Sequence, residues 1–238
     1  FSVTATPDHK FLTPNGYVEL QHLVLGDQLL FQSGEGAWSK TYDLPNTMHI
    51  ASKMKTMALG GDHASGALIQ RRDFQEKYTS LPTKWSHGLG LVMGWLVGDG
   101  WLSGRSGSPL GLVFSNADMM ALVHEPLTQW FGKGHTHIRD TGVLQLTYGR
   151  VPYEFFKSLG VKEVRAHEKR VPDTLWTAPR EVIVGFLQGL FSADGTVYHK
   201  SDNQSCSVRL SSSSRQLLQD VQILLSNFGI IARLHLRR

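Results

Sequence analysis

The sequence predicts an α+β protein whose C-terminal part consists of two similar halves. Two apolar stretches, 91–100 and 186–195, carry a small residue at every fourth position, and each closes on Asp-Gly. Comparable strand and helix patterns follow both stretches at matched distances along the chain, which indicates an internal repeat. A segment of short strand-like pieces and turns precedes this repeat, so the chain also has a small β unit.

The two apolar stretches predict a pair of helices in very close contact. Their small residues are Gly90, Gly94, Gly98, Gly185, Gly189 and Ala193. Residues four apart lie on one helix face. A glycine inside a helix costs about 1 kcal/mol relative to alanine, so a repeated glycine needs a compensating contact. Close approach of a second backbone provides it, and we expect the two helices to cross with Asp99 and Asp194 side by side.

Both aspartates are unfavourably placed for a helix. Asp-Gly after the last apolar turn is a stop signal, with the glycine expected in the left-handed cap conformation. A carboxylate at a helix C-terminus opposes the helix dipole, and two converging carboxylates repel each other unless a cation lies between them. The pattern therefore predicts a metal site. The alternative is two buried helices with ordinary Asp-Gly turns, but two copies in the same phase favour the metal site.

The elements around these helices follow in order. Residues 1–44 form the small β unit, and 45–84 form a linker or accessory segment. The predicted strands of the β unit are Phe1–Ala5, Phe11–Thr13, Tyr17–Leu20 and Gln28–Phe31. Residues 85–178 form the first repeat, with strands at 112–115, 135–139 and 143–148 and helices at 117–131 and 153–159. Residues 179–238 form a truncated second repeat, with strands at 207–211 and 231–236 and a helix at 215–228.

The spacing within the two repeats agrees. Ser115 and Ser211, which end the first predicted strands, follow their aspartates by 16 and 17 residues. The helix-ending Gly132 and Gly229 follow them by 33 and 35 residues. An internal repeat with offsets this close predicts two halves related by a pseudo-two-fold axis, each contributing one aspartate.

Composition excludes several classes of protein. The 238 residues are 41% hydrophobic with a formal net charge of +4, which suits a folded core and permits nucleic-acid binding. The single cysteine, Cys206, excludes an internal disulfide and four-cysteine zinc sites. We therefore expect an intracellular, cytoplasmic protein. The apolar runs are too short and too interrupted to span a bilayer.

The stretches Val92–Gly100 and Leu187–Gly195 resemble the signature of LAGLIDADG homing endonucleases. Two copies in one chain resemble the single-chain, pseudo-symmetric branch of that family. The resemblance implies an αββαββα-type fold with two saddle-forming antiparallel sheets, and a monomer with an internal pseudo-dimer. It also implies site-specific cleavage of double-stranded DNA with Mg²⁺ bound by Asp99 and Asp194. The backbone carbonyls of Gly98 and Ala193 are implied as further metal ligands.

A third chemical residue lies in Lys169-Arg170-Val171-Pro172. This block resembles the Lys-x-Ile-Pro block that precedes the second signature in intein-encoded endonucleases. The resemblance implies that Lys169 polarises the attacking water or steadies the phosphate charge. The alternative is an ordinary solvated basic run.

The N-terminal segment Thr6-Pro7-Asp8-His9 resembles intein block B, whose signature is Thr-x-x-His. It implies a partial Hint (self-splicing) unit in which Thr6 and His9 would polarise the scissile peptide bond. Phe1 stands close to block B, and no nucleophile precedes it. No His-Asn ends the sequence at Arg238, so we expect this chain not to splice and its splicing residues to be vestigial.

Basic and histidine side chains on the predicted strands and turns are candidate contacts to DNA phosphates and base edges. Alternation places His135, His137 and Arg139 on one strand face, and Arg233, His235 and Arg237 on another. The remaining candidates are Arg105, Arg150, Lys200 and Arg209. A solvated strand face is the alternative for each residue singly.

Two other functions remain open from the sequence. One is a DNA- or RNA-binding relative, a regulator or maturase, that has kept the scaffold and lost cleavage. Retention of both aspartates argues against it. The other is a fragment of a protein-splicing intein, against which the missing nucleophile and terminal asparagine argue.

Overall fold

The computed structural model describes residues 3–31, 34–45, 81–105, 107–200 and 205–235. Over these ranges the chain is a mixed α+β protein with antiparallel sheets. It forms two compact units, Phe1–Ala37 with Gln219–Arg238, and Trp38–Leu218. No helix in the described ranges is both long and apolar enough to cross a membrane. Residues 46–80 of the predicted linker lie outside the described ranges.

The N-terminal unit contains a two-stranded hairpin. Strands β1 (Lys10–Thr13) and β2 (Gly16–Glu19) pair antiparallel, with Thr13 opposite Gly16. Gly16 has a φ of +105°, and the Thr13 hydroxyl donates to its carbonyl oxygen at 2.8 Å, which closes the predicted turn. Residues 3–5 and 28–31 are not strands, contrary to expectation. The Leu30 N–H donates to the Leu12 carbonyl at 2.8 Å, but one bond does not make a ladder.

The first repeat runs helix, strand, strand, helix, strand, strand, helix. Its four strands form one antiparallel sheet in the order β3-β4-β6-β5. The elements are α1 (His87–Asp99), β3 (Gly100–Leu102), β4 (Leu110–Phe114), α2 (Ala117–Phe131), β5 (His135–Ile138), β6 (Leu144–Tyr148) and α3 (Arg150–Ser158).

The second repeat opens with the same order of elements. Helix α4 (Arg180–Asp194) is followed by β7 (Gly195–Lys200), β8 (Ser205–Leu210) and α5 (Arg215–Ser226). Strands β7 and β8 pair antiparallel as a separate two-stranded sheet. Both repeats therefore begin helix-strand-strand-helix, with an aspartate as the last residue of the first helix.

The core of the larger unit lies between α1 and the inner face of the four-stranded sheet. Leu110, Leu112 and Phe114 alternate onto that face and are almost completely buried. From α1, the Trp95 indole packs on the Phe114 ring, with centroids 4.9 Å apart. Its Nε1 donates to the Val113 carbonyl oxygen at 2.9 Å. Burial of α1 between the sheet and α4 explains why its sequence is apolar around its whole circumference.

The Asp-Gly steps do not end the helices as predicted. Gly100 (φ −121°) and Gly195 (φ −87°) are extended residues rather than left-handed caps. Each one begins a strand, β3 or β7, that we did not predict. Glycine is required for space, because a Cβ at Gly100 would lie 2.6 Å from the Leu96 carbonyl oxygen in the preceding helical turn. At Gly195 a Cβ would overlap the Phe191 carbonyl oxygen in the same way.

The predicted strand at 231–236 is also wrong over its described part. Residues 231–235 are irregular, and Leu236 lies outside the described ranges. Its counterpart β5 is a strand because it pairs with β6 from His135 to Ile138. Residues 231–235 have no such ladder partner among the described residues.

The contact between α1 and α4 gives a stability prediction. A Cβ on Gly94 would overlap the carbonyl oxygen of Phe186 and lie 2.8 Å from the Leu190 nitrogen, both backbone atoms. We expect Gly94→Ala to lower the free energy of unfolding by about 3 kcal/mol, because backbone cannot rotate away.

Gly88→Ala in the same helix is the matched control. A Cβ at Gly88 makes only an ordinary 3.8 Å contact with Pro126, so the substitution should be neutral or stabilising by up to about 1 kcal/mol. Urea unfolding of both variants measures the difference. Equal stability of the two variants would contradict the close backbone contact.

Candidate functional site

The glycine stripes of α1 and α4 face each other. A Cβ at Gly90 would overlap the Val182 carbonyl oxygen, and a Cβ at Gly185 would overlap that of His87. Gly94 and Gly189 show the same reciprocal relation to the opposite helix. The two backbones therefore touch without intervening side chains, as the spacing predicted.

This packing brings the C-terminal ends of both helices together. A Cβ at Gly98 would lie 2.7 Å from the Ala193 Cβ and 3.4 Å from Oδ2 of Asp194. The Asp194 carboxylate thus reaches across to the residue that precedes Asp99. The structure brings together all four predicted metal-site residues, the two aspartates and the small residue before each.

Lys169 joins the site from the segment that precedes α4. Its Nζ donates to the carbonyl oxygens of Gly98 at 2.6 Å and Gly100 at 3.1 Å. These carbonyls flank Asp99, so the ammonium group is held at the end of α1 where backbone acceptors are unpaired. The sequence predicted Lys169 but not its carbonyl partners, because Gly100 was expected to be a left-handed cap.

The three ionisable groups are all electrostatically strained. The Asp99 side chain reaches solvent, but partial exclusion of water still raises its pKa. The Lys169 charge opposes that rise. Desolvation raises the pKa of Asp194 as well, and the neighbouring Asp99 charge adds to the effect. Desolvation also lowers the pKa of Lys169, against the attraction of both aspartates. One ammonium group therefore compensates two carboxylates incompletely.

The groups at the ends of α1 and α4 that could bind a metal ion are hard oxygen ligands. No group of three or more His, Cys, Asp or Glu residues within the described ranges is placed to hold a metal ion. Any cation at this point would have the two carboxylates and nearby carbonyl oxygens as protein ligands. The Gly98 carbonyl already accepts from Lys169, so it has only its second lone pair to offer.

One residue of the site had no signal in the sequence. Ser214, just before α5, is completely buried, and its hydroxyl donates to the Lys169 carbonyl oxygen at 2.7 Å. A serine before a helix predicts a cap, but nothing in the spacing connects it with a lysine 45 residues earlier.

The predicted DNA-binding residues of the first repeat lie mainly on the outer face of its sheet. In the ladder, His135 lies opposite Thr147 and His137 opposite Gln145, so these four share a face. Arg139 continues the face, and its Nε and Nη2 both donate to Gln145 Oε1 at 3.2 Å. All four β5 residues are exposed, and β5 is an edge strand of the sheet.

The other candidates are less uniformly placed. Arg105 is exposed between β3 and β4, whereas Arg150 is tied to the Glu154 carboxylate at 2.8 Å and to the Gly104 carbonyl oxygen at 3.1 Å. The Arg209 guanidinium lies 4.1 Å from the Tyr198 ring centroid on the small sheet. Arg233 and His235 are exposed in the smaller unit, Lys200 ends β7, and Arg237 lies outside the described ranges.

The predicted splicing residues form a tight turn. The His9 N–H donates to the Thr6 carbonyl oxygen at 3.0 Å. The Thr6 hydroxyl donates to the Asp8 carboxylate and is the main cause that lowers the pKa of Asp8. Thr6 and His9 are both exposed.

Comparison with protein families identifies part of the chain. Residues 181–238, which include the Asp194 stretch, match the model of the LAGLIDADG-like domain. This match supports the resemblance for the second repeat.

The similar full-length proteins have unrelated names. A replicative DNA helicase DnaB from Rhodothermus marinus is 27% identical over 98% of this chain and 22% of its own length. A tRNA-splicing ligase RtcB from Pyrococcus abyssi is 26% identical over 98% and 27%. A probable translation initiation factor IF-2 from Thermococcus kodakarensis is 37% identical over 98% and 23%. The chain spans about a quarter of the length of these curated relatives.

Two solved structures are also similar. The homing endonuclease I-WcaI bound to its DNA recognition sequence matches with a TM-score of 0.40 and 14% identity, over 73% of this chain and 77% of that one. The N-terminal LAGLIDADG domain of DUF199/WhiA matches with a TM-score of 0.32 and 13% identity, over 63% and 85%.

The strained carboxylates give a pH-dependent prediction for the metal-free protein. The folded-state pKa of Asp194 lies above its ordinary value of 3.8. Ionisation of Asp194 therefore lowers the free energy of unfolding as the pH rises from 3.8 to the raised pKa. Asp194→Asn removes this cost. We expect it to stabilise the protein at pH 7 by up to about 1 kcal/mol, a modest gain because solvent screens a half-exposed carboxylate. The gain should vanish below pH 3.8.

Asp140→Asn, at an exposed turn, is the control and should leave the stability unchanged. Thermal unfolding in chelator across this pH range makes the measurement. A destabilised Asp194→Asn variant at pH 7 would mean that the carboxylate stabilises the metal-free fold.

Proposed function

We propose that this chain is a site-specific double-strand DNA homing endonuclease, derived from an intein, that hydrolyses phosphodiester bonds with Mg²⁺. The observation that carries the proposal is the convergence of two carboxylates and one lysine at the ends of two glycine-packed helices. The glycines of α1 and α4 lower the helix propensity of both helices. The charged groups of Asp99, Asp194 and Lys169 are brought together where they are partly desolvated. The close helix contact stabilises the fold, but the strained charges that it brings together do not, and such charges suit a reaction centre.

The residues present fit a divalent cation. Both carboxylates are hard oxygen donors, and their raised pKa values have the causes that a bound cation would offset. Magnesium suits a site with few protein ligands, because it fills its octahedral shell with water and phosphate oxygens. When bound, Mg²⁺ would supply an acidified water and charge neutralisation on the leaving oxygen. Asp99 and Asp194 would hold it, assisted by the carbonyls of Gly98 and Ala193.

Lys169 would act as a fixed point charge. Its bonds to the Gly98 and Gly100 carbonyls hold the ammonium group at the helix ends. From this position it can orient the attacking water or attract a phosphate oxygen. A lysine pre-positioned by two acceptors loses less conformational entropy when the substrate arrives.

The repeated element order supports a pseudo-two-fold pair of halves, 85–178 and 179–238, acting as one monomer on duplex DNA. One scissile phosphate on each strand would then face one aspartate. The outer sheet face with His135, His137 and Arg139 offers donors for phosphates and base edges. Arg105 and Arg209 are further candidates, and Arg150 is a weaker one because Glu154 neutralises it.

The intein origin is supported by where similar sequence occurs. Nearly the whole chain matches about a quarter of a helicase, a ligase and an initiation factor, which are named for different activities. A segment shared by such different proteins is separable from their functions, as an inserted element is. The Thr6–His9 turn is consistent with a residual splicing unit in residues 1–44.

Cleavage of candidate host-gene DNA that lacks the inserted segment tests the proposal. We expect wild type to linearise a plasmid carrying the correct site with Mg²⁺ and to leave it intact in EDTA. Asp194→Asn should bind the same DNA and cut it at least about 100-fold more slowly, because it removes a metal ligand.

Asp140→Asn is the control and should cut at the wild-type rate. Tight, site-specific binding by wild type without any cleavage would overturn the endonuclease proposal in favour of a non-cleaving nucleic-acid-binding relative.

A further inference from the structure

Ser214 occupies an unusual position for a helix cap. It is completely buried immediately before α5, and its Oγ accepts from the Leu217 N–H at 3.1 Å. The same hydroxyl donates to the Lys169 carbonyl oxygen at 2.7 Å. A serine hydroxyl has one hydrogen to donate, so that single donor is committed to the lysine backbone.

The Ser214 hydroxyl adds a short hydrogen bond to the backbone of Lys169. Lys169 follows a short 3₁₀ turn, Ala166–Glu168, and its N–H makes only a long 3.4 Å bond back to the Ala166 carbonyl. A lysine side chain has four rotatable bonds, so its ammonium group has a defined position only when both ends of the side chain are anchored. The Ser214 bond fixes the backbone end, while the Gly98 and Gly100 carbonyls hold the ammonium end.

We propose that Ser214 is a positioning residue for Lys169: its hydroxyl ties the lysine backbone to the start of α5 and so holds the ammonium group beside Asp99 and Asp194. This inference deepens the proposed function and rests on it for its kinetic consequence. Its structural consequence stands independently. The Ser214 side chain, which belongs to the second repeat, thus sets the position of the Lys169 ammonium group.

Asn116 provides a matched comparison in the first repeat. It caps α2 as Ser214 caps α5, with its Oδ1 accepting from the Met119 N–H at 3.0 Å. Its other side-chain bond, from Nδ2 to the Ser115 hydroxyl at 3.4 Å, is local. Asn116→Ala therefore removes a cap without touching Lys169, whereas Ser214→Ala removes a cap and the lysine contact together.

The kinetic test is a double-mutant cycle under single-turnover conditions with saturating DNA. Ser214→Ala and Ser214→Gly should each slow cleavage by about tenfold or more, the scale expected for a displaced catalytic group, with the Kd for DNA unchanged. The glycine variant protects against misfolding, because glycine is a tolerated cap. In a Lys169→Ala background neither substitution should slow cleavage further. Asn116→Ala should leave the cleavage rate of each background unchanged.

The structural test needs neither metal nor activity. In a crystal structure of metal-free Ser214→Gly, we expect Lys169 Nζ to have left the Gly98 and Gly100 carbonyls, and in Asn116→Ala to retain both. Unchanged Lys169 bonds in Ser214→Gly would overturn the inference, as would a full additive loss of rate in the Lys169→Ala background. A wild-type protein that never cuts DNA would overturn the proposed function alone, and the crystal structures would still decide the role of Ser214.

Discussion

Direct contact between the backbones of α1 and α4 is the constraint on which the rest of the structure depends. At Gly90, Gly94, Gly185 and Gly189 a Cβ would overlap a carbonyl oxygen of the facing helix. With no side chains between them, the two helices can end at the same point. Strands β3 and β7 begin directly after those helix ends. The helix contact therefore sets the positions of Asp99 and Asp194 and the points where the sheets of the two repeats begin.

The same contact creates the electrostatic problem that defines the site. Two carboxylates lie at the negative ends of two helix dipoles, where desolvation raises the pKa of each. Lys169 relieves part of this strain, and in doing so it occupies the carbonyls at the end of α1. Ser214 then links that lysine to α5. Lys169 is thus held at both ends, by Ser214 at its backbone and by the Gly98 and Gly100 carbonyls at its ammonium group.

Features that depend on residue periodicity and local spacing were predicted from the sequence. The glycine stripes, helix α2 from Ala117 to Phe131 and the meeting of Asp99 with Asp194 follow from residues four apart and from a repeat with matched offsets. Contacts across the fold were not predictable: Gly100 pairs with Leu112 in the β3–β4 ladder, and the Ser214–Lys169 bond joins residues 45 positions apart. The strand predicted at 231–236 is absent over its described part, 231–235, because the pattern shows strand propensity but cannot show the ladder partner that a strand requires.

The most direct test of the account is to locate a bound divalent cation. Crystals soaked in Mn²⁺, which replaces Mg²⁺ in oxygen-ligand sites and scatters anomalously, should show a peak within about 2.5 Å of carboxylate oxygens of Asp99 and Asp194. The Asp194→Asn protein under the same conditions should show that peak weakened or lost. Wild-type crystals with Mn²⁺ bound elsewhere, and none between the two helix ends, would contradict the claim that this helix packing exists to build a metal site.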